Sequence, residues 1–314
     1  EVISTEIPLG KKNKRRAFHQ ISLIGQKLQL FTSRYQPHKR TNTLYRQPIL
    51  VDNLQAGNIE IMAHSFTNGQ TKTFGINLSK NEKKVLIYNV DDYIKSDPVR
   101  VTIQVYDNQF QPIWQHKYLL PFKNKNYVVA QNVIDNAGNV YLIGDYAHGK
   151  SLKKHQGSIF CLKSDGTAQE KRFGVAKKII NGLEYHIDQQ GILVGVGTFT
   201  GVNRSGDLFP LIEGIYLLQY NHQKDRIGQR IVYFEANEFQ KNNKALGKKG
   251  QFDTRLYLKE VFIKKDNSLL LALEQIEPLN KGANVAIRGT EEWRSIVNNS
   301  AALSSSLYDI RTRE

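Results

Sequence analysis

The chain has 314 residues, a length that suits one large all-β domain or two smaller domains. Hydrophobic residues make up 40% and charged residues 23%, which excludes a disordered chain, and Gly 23 with Pro 8 excludes collagen-like or Pro-rich low complexity. Lys+Arg 44 against Asp+Glu 29 leaves a formal charge of +15, and a single cysteine, Cys161, excludes an internal disulfide and a cysteine-based zinc site.

No apolar run approaches the roughly 18 to 20 residues that a membrane-crossing helix needs. The sequence opens at Glu1 without a charged region leading into an apolar one, so it reads as a mature or trimmed piece.

In chain order, residues 1–20 form a basic N-terminal segment. Glu1–Leu9 offers a closing strand, and Lys11, Lys12, Lys14, Arg15 and Arg16 make a compact basic run. A polar turn followed at once by a short apolar strand then recurs. It stands at Gly25–Phe31, Asn81–Tyr88, Asp135–Ile143, Asp188–Val194 and Asp266–Ala272. From Gly25 to Glu82 is 57 residues; Gly138 follows after 56, Gly191 after 53 and Asn267 after 76, the last step reading as a similar one plus an insertion.

A second strand follows four of these turns, at Thr43–Gln47, Thr102–Tyr106, Ser158–Leu162 and Gly214–Leu218. Further strands are expected at Glu60–His64, Ile113–Tyr118, Gln169–Phe173 and Arg230–Phe234. Alternating apolar, β-branched and aromatic positions closed by Asp, Asn and Gly turns are the sequence form of antiparallel hairpins.

The segment Glu235–Gln251 reads as an insertion carrying Lys241, Lys244, Lys248 and Lys249, and Lys150, Lys153 and Lys154 form a third basic stretch. Beyond residue 275 the character changes. Thr290 caps a short helix with Glu291 and Glu292 in its first turn, Asn298–Ser306 reads as a loop, and Ser306–Ile310 as a last strand.

The expected fold is an all-β β-propeller of four-stranded blades, with about five units visible between residues 21 and 275 and residues 276–314 as an insertion and loop region. Burial is the reason, because a single four-stranded sheet cannot cover both of its faces. A β-sandwich with irregular meanders is the rival that the even steps disfavour.

The units Asn132–Asp145 and Gly157–Gly166, with Leu28–Tyr35 and Asn42–Tyr45, resemble uncharacterised β-propeller-like envelope proteins of Bacteroidetes-type bacteria. The likeness spans roughly residues 20 to 275 and rests on turn–strand motifs that many propellers share. It implies export, with a periplasmic or outer-membrane surface location, and it carries over no catalytic residue.

The residues themselves give little chemistry. Eight histidines show no metal-binding spacing. Gly191–Gly201 has its last glycine one place too late for a dinucleotide loop; Gly195 and Gly197 instead admit a close backbone approach. Asp135, Asp188 and Asp266 recur at the turns, where a carboxylate satisfies turn amides. Cys161 reads as a small buried hydrophobe, and Tyr93, Tyr146 and Phe199 are expected just past strand ends, on a loop face.

No catalytic residue, metal or cofactor is assigned. The leading expectation is a non-catalytic scaffold with a protein partner in an envelope assembly. Its alternatives are a polysaccharide-acting enzyme with a site at the propeller axis, and a binder of an anionic polymer or membrane surface. That binder would use Lys11, Lys12, Lys14, Arg15, Arg16, Lys241, Lys244, Lys248 and Lys249. No specific nucleic-acid motif is present.

Overall fold

A computed structural model describes residues 7, 9, 15–67, 74–91, 96–147, 155–201, 212–234, 256–263, 269–278 and 301–310. Nineteen strands among them form five antiparallel sheets, and in each sheet the spatial order follows the chain order.

The first sheet holds β1 (Ala17–Ile24), β2 (Lys27–Gln36), β3 (Thr41–Ile49) and β4 (Glu60–Phe66). The second holds β5 (Phe74–Leu78), β6 (Lys84–Val90), β7 (Pro98–Asp107) and β8 (Pro112–Lys123). The third holds β9 (Tyr127–Ile134), β10 (Val140–Ala147), β11 (His155–Leu162) and β12 (Ala168–Phe173). The fourth holds β13 (Lys178–Ile187), β14 (Leu193–Gly201), β15 (Ile212–Asn221) and β16 (Arg226–Tyr233). Among the described residues the fifth holds β17 (Leu256–Ile263), β18 (Leu269–Pro278) and β19 (Ala301–Ile310).

The recurring turns at Gly25, Glu82, Gly138 and Gly191 are thus hairpins between the first and second strands of a sheet, and the apolar run after each of the five turns belongs to a second strand. The reason is local. At Gly25–Gln26 two successive residues take positive φ, 56° and 64°, the backbone of a two-residue hairpin whose twist matches its strands. At Asp135 the amides of Asn139 and the Asn139 side chain donate to the carboxylate at 2.8 and 2.7 Å, the Tyr141 hydroxyl adds a third bond at 3.2 Å, and Gly138 takes φ 95°. Asp188 receives the Gln190 and Ile192 amides at 2.8 Å each, and Asp107 receives those of Gln109 and Gln111. Turn chemistry, not acid–base chemistry, accounts for these carboxylates; Asp266 lies outside the described residues.

The chain divides into two compact units, one of Glu1–Lys150 with Gln156–Arg172, the other of Ser151–His155 with Phe173–Glu314. In the first unit the first and second sheets share a core of Ile24, Phe31 and Leu44 against Ile76, Val85 and Ile87. The second and third sheets share another, of Val101, Ile103, Val105 and Phe122 against Tyr127, Val140, Leu142 and Phe160. Polar tips cross these cores. Trp114, His116 and Tyr118 alternate along β8, and each reaches a carbonyl of a third-sheet turn: Gly138 at 3.2 Å, Ser164 at 2.9 Å and Lys163 at 3.2 Å. In the second unit the fourth and fifth sheets share Val194, Val196, Ile215 and Leu217 with Val261 and Leu271.

Three expectations change. Phe199 lies within β14, fully buried, with its ring edge-on to Tyr233 at 5.2 Å, and Tyr146 lies within β10; neither follows a strand end. The stretch read as a loop through Ser306 is already strand from Ala301, paired with β18 over ten residues. The close approach at Gly195 is to a side chain: a Cβ there would stand 2.8 Å from the Tyr185 ring of the neighbouring strand. Tyr93 and the expected helix at Thr290 lie outside the described residues. Cys161 is buried in β11, as its apolar neighbours imply.

Candidate functional site: the bulged first strands

The first strand of each sheet carries the least regular sequence, and four of the five carry a β-bulge at matching register. In β1, Phe18 pairs with Thr32 and Gln20 with Phe31, leaving His19 extra. In β9, Val129 pairs with Gly144 and Gln131 with Ile143, leaving Ala130 extra. In β13, Gly182 and Leu183 together stand opposite Gly197 before Glu184 pairs with Val196. In β17, Lys259 is extra and Glu260 pairs with Ala272. A bulge bends its strand and re-aims the side chains beside it, and bulges concentrate next to binding and active sites. The residue just after each one is Gln20, Gln131, Glu184 or Glu260, an amide or carboxylate of one length every time.

In the first unit these strands lie side by side. The His19 imidazole of β1 hydrogen-bonds the backbone of Phe74 in β5, and burial holds its pKa below the usual histidine value despite that bond. From β5, the Asn77 amide donates to the Asn132 carbonyl of β9 at 3.0 Å and to its side-chain oxygen. Tyr88 also hydrogen-bonds Asn132, and burial raises its phenol pKa. The row thus offers imidazole, amide and phenol groups that donate and accept without net charge. Its outer counterpart is Asp91, which receives Ser65, Phe66 and Asn89 at 3.2, 3.3 and 3.1 Å. Burial there raises the carboxyl pKa, opposed by those bonds and by Lys117 and Arg100.

In the second unit β13 runs beside β17, and Glu184 and Glu260 occupy the same position of the repeat. At the other end of β13, the Lys178 ammonium pairs with Glu213 and sits 5.3 and 5.2 Å from the Phe199 and Tyr233 ring centres. Burial alone would lower the lysine pKa; Glu213 outweighs it and the net shift is upward.

Of the basic residues singled out in the sequence, Arg15 is exposed. Arg16 is turned inward, 7% exposed, donating to the Thr32 hydroxyl at 3.2 Å and lying 5.9 Å from the Tyr45 ring centre. It therefore stitches the first sheet and is not presented beside Arg15, because a guanidinium can satisfy its donors against strand hydroxyls while its stem packs. Lys11, Lys12, Lys14, Lys241, Lys244, Lys248 and Lys249 lie outside the described residues. Sequence reading passed over His19, Gln20, Asn77 and Gln131; the signal it had was a polar side chain five to seven residues ahead of each turn marker. Among the described residues no group of three or more His, Cys, Asp or Glu is gathered to hold a metal, and no helix is long and apolar enough to cross a membrane.

No family model and no curated protein matches the chain. Among solved structures it is similar to an endo-arabinase from Bacteroides thetaiotaomicron, at 10% identity and TM-score 0.37, over 99% of each chain. It is similar to a subtype N10 neuraminidase-like protein of A/little yellow-shouldered bat/Guatemala, at 10% identity and TM-score 0.41, over 92% of this chain and 81% of that one. A mannose phosphorylase from Leishmania mexicana gives 7% identity and TM-score 0.35, over 82% of this chain and 80% of that one. At these scores the likenesses assign neither an activity nor a residue.

Proposed function

We propose that the chain is a β-propeller whose sheets are its blades, and that within each unit it binds neutral polysaccharide along the bulged first strands. The observation that supports this reading is the recurring bulge followed each time by Gln or Glu. In the first unit it lies beside His19, Asn77 and Asn132, groups that match the paired donors and acceptors of sugar hydroxyls.

Titration calorimetry against neutral oligosaccharides tests the reading. Binding that Gln131→Ala weakens about tenfold, the loss of one or two hydrogen bonds to ligand, is the expected result. Absence of binding to every neutral oligosaccharide overturns it. Release of reducing ends, lost in Glu184→Gln or Glu260→Gln with binding retained, would make the protein an enzyme rather than a binder.

A second reading, an interaction scaffold in an exported envelope assembly, has its own observation. Phe18, Ile21 and Leu23 of β1 and Ile61 of β4 share one face of the first sheet and are 61%, 49%, 58% and 60% exposed. Cross-linking in native envelopes tests it, and a chain recovered alone from the soluble cell interior counts against both the assembly and the export.

A further inference from the structure

We propose that the outward side of β8, in the first unit, is a docking surface for an anionic membrane surface. Along β8 the inward side chains Trp114, Tyr118, Leu120 and Phe122 are buried, whereas Ile113, Gln115, Lys117, Leu119, Pro121 and Lys123 are exposed. Leu119 is 68% exposed and Ile113 44%. Exposed Arg100 of β7 pairs directly with Leu119, Thr102 beside it pairs with Lys117, and exposed Lys125 follows the strand. Arg100 and Lys117 thus flank a leucine on the outermost strand of its sheet, with Lys123 further along the same side and Lys125 in the turn that follows. Asp91 is half-buried, turned to Ser65 and Phe66 of β4, and interacts electrostatically with Lys117 and Arg100 from beneath; Asp97 is half-buried too, so neither carboxylate covers the exposed side.

Lysine and proline on an outer strand guard it against pairing with another sheet. That accounts for Lys117, Pro121 and Lys123, and it leaves Leu119 unexplained. A soluble polyanion would use the cations but gain nothing from an exposed leucine. A leaflet of anionic lipid takes both, with headgroups against Arg100, Lys117, Lys123 and Lys125 and the acyl boundary against Leu119. The surface is independent of the polysaccharide site and uses none of its residues.

Co-sedimentation of the whole chain with vesicles tests it, comparing phosphatidylcholine alone with phosphatidylcholine mixed with phosphatidylglycerol. The expected result is about tenfold more protein on the anionic vesicles at low ionic strength, falling as salt is added. Lys117→Glu combined with Lys123→Glu removes that excess. Leu119→Ser reduces it about tenfold, the loss of one inserted leucine, with the thermal midpoint unchanged. No excess on anionic vesicles, or an excess untouched by charge reversal, overturns the proposal. So does an excess indifferent to Leu119→Ser, which marks a site for soluble polyanions instead.

Discussion

At the scale of single residues, the carboxylates that recur in this chain serve the backbone. Asp135 is 2% exposed and receives the backbone and side-chain amides of Asn139 and the Tyr141 hydroxyl. Asp135→Ala leaves those donors buried without an acceptor, so we expect a loss of about 2–3 kcal/mol in urea denaturation. Asp188→Ala acts on the same kind of turn with two amide partners and is expected to lose less. His19 gives a pH signature of the opposite origin. Burial depresses its pKa, so the unfolded chain takes up the proton first as pH falls below the ordinary histidine value of about 6.5. Its contribution is therefore full above that pH and declines as pH drops toward the folded value. His19→Gln should flatten that part of the stability profile; a profile unchanged by the substitution would show that the imidazole is not held neutral.

At the scale of elements, second strands were readable and first strands were not, for a physical reason. A second strand follows a turn with fixed chemistry and is buried on both faces, as Val140, Tyr141 and Leu142 are, so its signal is short, apolar and abrupt. A first strand carries polar side chains, and its bulge interrupts the alternation, so β1 and β9 lack a clean period of two. Arg16 turns inward beside an exposed Arg15, since charge in a sequence says nothing about which way a side chain turns.

A device that no periodicity reveals is the aromatic ring laid over a glycine of the next strand: Tyr88 over Gly75, Tyr127 over Gly144, Tyr185 over Gly195. A Cβ at Gly144 would meet the Tyr127 ring at 2.4 Å and the Val128 carbonyl at 2.6 Å, so Gly144→Ala is expected to destabilise by about 2–3 kcal/mol. Gly228 in β16 meets nothing within 4 Å, and Gly228→Ala should be neutral or stabilising by a few tenths of a kcal/mol. Thermal unfolding of the two variants side by side separates packing from backbone entropy.

At the scale of the whole molecule, all-β architecture was legible from the even steps, since the markers Gly25, Glu82, Gly138 and Gly191 each fall between the first and second strands of a sheet. The division into two compact units was not, because a boundary near residue 173 leaves no mark in composition. The first unit holds three sheets and both of their shared cores. A fragment of residues 1–175 should therefore show β-sheet circular dichroism and one cooperative urea transition. A gradual, non-cooperative transition would mean that these cores require the remainder of the chain.

In every sheet, spatial neighbours are sequence neighbours. Each hydrogen-bonded ladder therefore forms between consecutive strands, most of them joined by short connections and β18 and β19 by a longer one. During synthesis or passage through a narrow conduit, such a chain completes one sheet before the next begins, so unpaired edges exist only briefly and one at a time. A basic protein of 314 residues whose described part is mostly strand is exposed to aggregation chiefly while it is being made, and this wiring shortens that interval.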